Sequence, residues 1–147
     1  MQATDAYFIN QKKRNYIISD STFSGAGKLG YHIITGVTST FESLKMAVAD
    51  LLNFNFFAMP MVGTELCGHF GPPQNLKQSK YQADLCNRWL QLAVFYPMVV
   101  NRKTDTQLGG LADLNLHNVK YALDFRYGLL SYIYTQFFNV HIYVSLA

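Results

Sequence analysis

Short apolar runs alternate with amphipathic stretches along most of this chain. Four runs are typical of buried strands, because they are mostly apolar and end in polar or glycine-rich turns. They cover residues 16–19, 31–34, a segment that starts at 61–62, and 97–100. Stretches with helical spacing cover about 41–55, 83–95 and 114–140. The order β, β, α, β, α, β, α predicts a parallel sheet covered by helices.

The helix predicted for residues 41–55 has the clearest start signal. Ser39 followed three residues later by Glu42 fits a capping box. Its apolar positions are Leu44, Val48, Leu51, Leu52 and Phe56. The aromatic cluster over 54–57 is also at core spacing. The next helix is predicted to face inward through Leu85, Trp89, Leu92 and Val94 or Phe95. The last helix is predicted to bury the stripe Val119, Leu123, Tyr127, Leu130, Tyr134 and Phe138.

The polar segments predict the chain's organisation. Residues 1–15 are expected to be a loose lead-in, and residues 16–147 a single unit. Residues 71–82 and 101–110 carry proline or glycine among polar residues and are expected to be loops. The glycine-spaced stretch 24–30 matches no phosphate-binding pattern in full, which favours a simple turn.

The composition suggests that part of the surface is covered by something else. Of 147 residues, 50% are hydrophobic and only 14% are charged, against roughly 25% charged in average proteins. A piece of a larger fold, or an obligate subunit, would look like this. The net charge is +3, and the basic residues are scattered apart from Lys12-Lys13-Arg14. A run of three is typical of a solvated loop, so no nucleic-acid partner is expected.

Localisation stays open from the sequence. The first residues are polar, so no signal peptide is expected in this chain. The apolar tail over 127–147 contains Gln136, Asn139 and His141, which are costly in hydrocarbon, so no membrane span is expected. Glu65 and His69 lie four residues apart without further ligands. Neither a metal nor a cofactor is therefore expected.

A series of short motifs, taken in order, closely resembles glycoside hydrolase family 31, which includes lysosomal, intestinal and endoplasmic-reticulum α-glucosidases. The motifs are Ser21-Thr22-Phe23, Gly25-Ala26-Gly27, His32, Thr38-Ser39-Thr40, Leu51-Leu52-Asn53-Phe54-Asn55, Pro60-Met61-Val62-Gly63, Cys67-Gly68, Cys86-Asn87-Arg88-Trp89-Leu90-Gln91-Leu92, Phe95-Tyr96-Pro97 and Arg126-Tyr127-Gly128-Leu129-Leu130. The resemblance spans about residues 16–141. It implies an α/β fold, part of a (β/α)8 TIM barrel, with roughly the last four strands and their helices.

The same resemblance implies a loss of catalysis. A retaining glycosidase needs two carboxyl groups about 5 Å apart. The family's acid/base aspartate falls at Gly36 here, and the family's Trp-x-Asp-Met-Asn-Glu type nucleophile motif has no counterpart in this sequence. The chain is therefore predicted to be inactive as it stands.

The family's sugar-binding positions are mostly substituted. The resemblance puts Asp20 where the family has arginine, Glu65 where it has aspartate, and Arg102 where it has histidine. His32 is kept, and a structural role for it is favoured over a general base. Binding of α-glucosides is expected to be weak or absent. The family's equivalents of Cys67 and Cys86 can form a disulfide, and both a bridge and free thiols stay open here.

Three functional hypotheses follow. The first is an active α-glucosidase, which the family resemblance supports. The second is a non-catalytic relic that serves as a structural or assembly subunit, with its apolar surface buried by a protein partner that completes or covers the half-barrel. The third is a truncated product without a role. An active α-glucosidase is opposed by Gly36, Asp20, Arg102 and the missing nucleophile.

Overall fold

A small parallel sheet with helices packed around it forms the centre of the molecule. The computed structural model describes residues 1–69, 78–101 and 116–143. The helices are α1 (Gln2–Asn10), α2 (Phe41–Phe56), α3 (Gln78–Ala93) and α4 (Leu116–Tyr143), and the strands are β1 (Ile18–Ser19), β2 (Tyr31–Ile34) and β3 (Val62–Thr64). A 3-10 turn, Ala26–Lys28, lies in the glycine-spaced stretch.

The predicted parallel sheet is confirmed, with shorter strands than expected. The order is β1-β2-β3, and both pairs are parallel. Where a fourth strand was predicted over 97–100, Val100 makes one parallel bridge to Glu65. The sheet edges in the described chain are therefore β1 on one side and Val100 on the other.

Gly63 in β3 allows an unusually close approach of the neighbouring segment. The Met98 amide donates to the Val62 carbonyl oxygen over 3.2 Å. A Cβ atom at Gly63 would collide with the backbone carbonyl of Met98. The contact between β3 and the segment that leads to Val100 therefore requires glycine at this position.

The core lies between α3 and the loop that follows β3. Leu85 and Trp89 of α3 are fully buried, together with Leu66 from the loop. The inward face predicted for α3 is thus confirmed at these positions, whereas Phe95 is 60% exposed. The helix begins at Gln78, inside the predicted loop 71–82, because the residues over 78–82 are mostly compatible with a helix despite their polarity.

The predicted bounds of α2 are confirmed to within a residue, but the expected capping box is wrong. Thr40 is the N-cap, and its Oγ1 accepts a hydrogen bond from the Ser43 amide over 3.2 Å. The buried Ser39 hydroxyl instead donates to the Cys67 carbonyl oxygen over 2.6 Å. Ser39 therefore bonds to a residue distant in sequence, and it does not cap α2 as the local pattern predicted.

Much of the predicted core face of α2 is exposed. Ala47 is buried, but Val48, Leu52 and Phe56 are at least two-fifths exposed. Phe57 is exposed as well, so the expected packing of the 54–57 cluster is wrong for its last two members. The described residues leave α2 partly uncovered.

The expectation of a loose lead-in is wrong over residues 2–10, which form α1. The helix has no buried residue, and the Asn15 side-chain amide donates to the Asp5 carboxylate. This contact holds the chain after α1 against its first turn. The division into residues 1–15 and 16–147 stays a prediction.

The last helix is rotated relative to the expectation. The predicted inward stripe is largely exposed, with Leu123 at 37% and Tyr134 at 75%. Ala122 is buried instead, and Arg126 of the next turn is half-buried. We call the exposed set the outer stripe; it consists of Leu123, Tyr127, Leu130, Tyr134 and Phe138.

None of the described helices combines the length and the apolar character needed to cross a membrane.

Candidate functional site

Polar positions follow the ends of the parallel segments and meet at one rim of the sheet. Asp20 follows β1, Gly36 comes two residues after β2, Glu65 directly follows β3, and Asn101 follows Val100. Because the segments are parallel, their carboxyl ends share one edge. Asp20, Gly36 and Glu65 therefore lie at one rim, whereas Arg102 lies outside the described residues.

At the end of β2 the strand's own residues bring no ionisable group to the rim. Gly36 has φ of 71°, in the left-handed region that favours glycine. It lines a small cleft between β2 and α2 with Thr38, Thr64 and Asp50. Asp50, which sequence reasoning did not single out, brings a carboxylate into that cleft from α2. No local pattern marked it, because a charged residue within a helix usually faces solvent.

Glu65 is a buried carboxylate at the rim. It is 2% exposed, and its Oε2 lies 3.9 Å from Nδ1 of His69. The His69 amide donates to the Val37 carbonyl oxygen over 2.6 Å. The loop after β3 thus holds an acid and an imidazole side by side and is anchored to the segment after β2. Among the described residues, no three potential ligands cluster in a metal site.

A disulfide attaches the same loop to α3. Cys67 and Cys86 are bonded, with their Cα atoms 4.8 Å apart, and both are buried. Cys67 has φ of 67° and Gly68 has φ of 78°. Two consecutive left-handed residues turn the chain sharply between Glu65 and His69. Of the two alternatives left open by the sequence, the structure contains the bridge.

His32 sits lower in the sheet, away from the rim, and is packed on both sides. Its Nδ1 lies 3.1 Å from Oγ1 of Thr22, and its ring stacks on Phe54 with centroids 3.9 Å apart. Burial lowers the pKa of His32, and the nearby Asp20 charge opposes this only in part. The imidazole is therefore set to be neutral at pH 7. Sequence reasoning missed Thr22 and Phe54 as its partners, although both lie in motifs of the resemblance.

Acidification is expected to destabilise the wild type more than His32→Gln. Because the folded-state pKa lies below the ordinary 6.5, the unfolded chain takes up the proton first. The contribution to stability is complete above pH 6.5 and is lost as the pH falls below it. One proton limits the slope to about 1.4 kcal/mol per pH unit.

Urea denaturation at pH 7.5, 6.5 and 5.5 tests this expectation. His141→Gln, which removes an exposed imidazole, serves as the control and should keep the wild-type pH dependence. An unchanged dependence in His32→Gln would contradict the assignment.

Comparison with known proteins gives one consistent answer. A family model described as "Glycosyl hydrolases family 31 TIM-barrel domain" matches residues 1–136. A human protein named probable maltase-glucoamylase 2 is 34% identical over 145 residues, which cover 95% of this chain and 5% of the relative. Mouse lysosomal alpha-glucosidase is 34% identical over 133 residues, which cover 88% of this chain and 13% of the relative.

Solved structures agree with the sequence matches. The glucosidase II alpha subunit, in a form described as bound to alpha3-Glc2, superposes with a TM-score of 0.73 at 26% identity. The match covers 88% of this chain and 14% of that chain. A heterodimeric glucosidase II complex of catalytic subunit and regulatory-subunit binding domain matches equally well. This chain thus spans only a small part of the length of these relatives.

Proposed function

The chain belongs to glycosyl hydrolase family 31, within its TIM-barrel domain, and from that premise we propose that it is a non-hydrolytic homologue of α-glucosidases. The matched relatives carry glycosidase names. The observation that carries the proposal is Gly36. The resemblance assigns it to the acid/base position, and glycine has no proton to give to a leaving group.

The other rim groups do not supply the missing chemistry. Asp20 is exposed at the edge strand, where its carboxylate is solvated. Glu65 is buried beside His69, and the resemblance makes it a sugar-binding position rather than a nucleophile. His32 is enclosed by Thr22 and Phe54. The positions of these side chains support a chain that keeps the packing of the family fold without its catalytic groups, because packing and catalysis use different positions.

The proposal includes the architecture and its consequence for assembly. We place residues 16–147 in roughly the last four strands of an eight-stranded barrel, on the basis of three parallel strands and the bridge at Val100. The outer stripe and the uncovered residues of α2 support a role in which a protein partner buries this surface. One matched relative, glucosidase II, is described as a heterodimeric complex.

Incubation of the pure chain with nitrophenyl α-glucoside and with maltose tests the proposal. No release of nitrophenol or glucose above the buffer blank is expected. Gly36→Asp should be equally inactive, since one restored carboxylate does not supply a nucleophile. Release that rises with wild-type concentration and disappears in Glu65→Gln would overturn the proposal.

A further inference from the structure

A groove between α3 and α4 is walled by two rows of side chains at helical spacing. One row stands at positions 87, 91 and 95 and the other at positions 118, 121 and 125. Because residues three or four apart lie on the same face of a helix, each row forms one wall. The six side chains are three amides and three aromatic rings: Asn87, Gln91, Asn118, Phe95, Tyr121 and Phe125. We call this site the α3–α4 groove.

Contacts at both ends fix the width of the α3–α4 groove. Asn118 Nδ2 donates to Asn87 Oδ1 over 3.4 Å at one end. The rings of Phe95 and Phe125 meet edge to face at the other end, with centroids 6.1 Å apart. A helix rises about 1.5 Å per residue, so the groove is about 12 Å long between positions 87 and 95. Its volume is about 310 Å³, which is at the lower end of the range for small-molecule sites.

The floor of the groove is buried, whereas its aromatic walls face solvent. Leu90, Val94 and Ala122 line the groove and are at most 6% exposed. Tyr121 is 70% exposed and Phe125 is 48% exposed. The rings therefore stand above a packed base, and their faces are open to a ligand.

The amides of the groove keep hydrogen-bonding capacity for a ligand. A side-chain amide has a carbonyl acceptor and an NH2 donor group. The bond between Asn118 and Asn87 uses one group of each, so one acceptor and one donor group remain at this end. Gln91, one turn further along α3, is exposed and adds a second acceptor and donor group. The groove therefore combines apolar ring faces with both donors and acceptors.

This combination selects the chemical class of the ligand. Among the described residues, those that line the groove include no charged side chain, which disfavours phosphates and carboxylates because these are held by cations. A wholly apolar ligand would cover the amides and cost them their bonds to water. The rings of Phe95 and Phe125 lie at 73° to each other, so they do not form two parallel plates around a flat heterocycle.

We propose that the α3–α4 groove binds a neutral saccharide of one or two sugar rings. The C–H face of a sugar ring is apolar and packs on an aromatic ring such as Tyr121, while the hydroxyls at its edge donate to and accept from amides. The lining of the groove includes no residue of β1–β3 or of the loops that follow them at the rim. The inference thus concerns a second site and does not depend on the proposed loss of catalysis.

Titration of the isotope-labelled chain with maltose, followed by amide correlation spectra, locates the bound sugar. The side-chain amide signals of Asn87, Gln91 and Asn118 should shift and saturate together. The signal of Asn53, an exposed amide on α2, should stay in place. Maltose that shifts none of the three groove amides would overturn the inference.

Variants test whether the groove carries the binding. Tyr121→Ala and Gln91→Leu should each raise the Kd for maltose on the order of five-fold, since each removes one contact with the sugar. Tyr127→Ala is the matched control, because Tyr127 is 71% exposed on the same helix but does not line the groove. It should bind as the wild type does. Equal weakening by Tyr121→Ala and Tyr127→Ala would mean non-specific contact with exposed rings and would overturn the inference.

Asp20→Asn at the rim separates the two sites. This variant should keep the wild-type Kd, and a loss of binding in it but not in Tyr121→Ala would place the sugar at the rim and reject the groove. The same spectra report free glucose. Its appearance would reject the loss of catalysis, whereas the comparison of Tyr121→Ala with Tyr127→Ala would still decide the groove.

Discussion

Replacing Arg126 with methionine is expected to lower the free energy of unfolding by about 3 kcal/mol. Its Nη1 donates to the carbonyl oxygens of Ala93, Val94 and Tyr96 over 3.4, 3.0 and 2.6 Å, and its Nη2 donates to that of Pro97 over 3.1 Å. The carbonyls at the end of α3 need such a donor. Methionine keeps the apolar stem but leaves these partly buried acceptors without their bonds.

Arg88→Met is the matched control. Arg88 pairs with Asp84 over 3.1 Å, but both side chains are more than half exposed. Exposed pairs of this kind contribute about 0–1 kcal/mol. Urea denaturation followed by circular dichroism compares the two variants with wild type. Equal losses in both would contradict the assigned role of Arg126.

Removal of the disulfide is expected to have an effect of similar size. Cys67 and Cys86 are 19 residues apart, and closing a loop of that length in the unfolded chain accounts for about 3 kcal/mol. The variant with both cysteines replaced by alanine should therefore lose about that amount in urea denaturation, relative to the oxidised wild type.

The reduced wild type controls for the changed side chains. It should match the double-alanine variant to within about 1 kcal/mol, since both lack the loop constraint. If reduction and replacement leave the denaturation midpoint where it is in the oxidised chain, the bridge does not stabilise this fold. Reduction should also loosen the turn that carries Glu65 and His69, which amide hydrogen exchange of that loop would detect.

The elements that sequence pattern predicted well are those decided by local composition. The short run of β2 was predicted with its observed bounds, 31–34. The spacing of Leu85 and Trp89 correctly placed both side chains in the core, since they lie about one helical turn apart on a single apolar face. Asp20 and Glu65 lie at one rim because parallel strands end at a common edge.

The elements that pattern predicted wrongly depend on contacts distant in sequence. The apolar residues of α4 cover a wide arc, and spacing alone did not say which half faces the core. The rotation matches the bonds from Arg126 to the segment 93–97, some 30 positions away. Ser39 likewise left its predicted cap to bond Cys67, 28 positions away. Neither contact leaves a periodic signal.

Gly63 restricts the register in which β3 and the segment around Met98 can pair during folding. The Met98 carbonyl fills the space where a Cβ atom would stand, so a pairing shifted by one position would drive Val62 or Thr64 into it. Short strands have few ladder bonds with which to reject a misaligned partner. The absence of a side chain at Gly63 thus permits one register and sterically excludes the registers shifted by one residue.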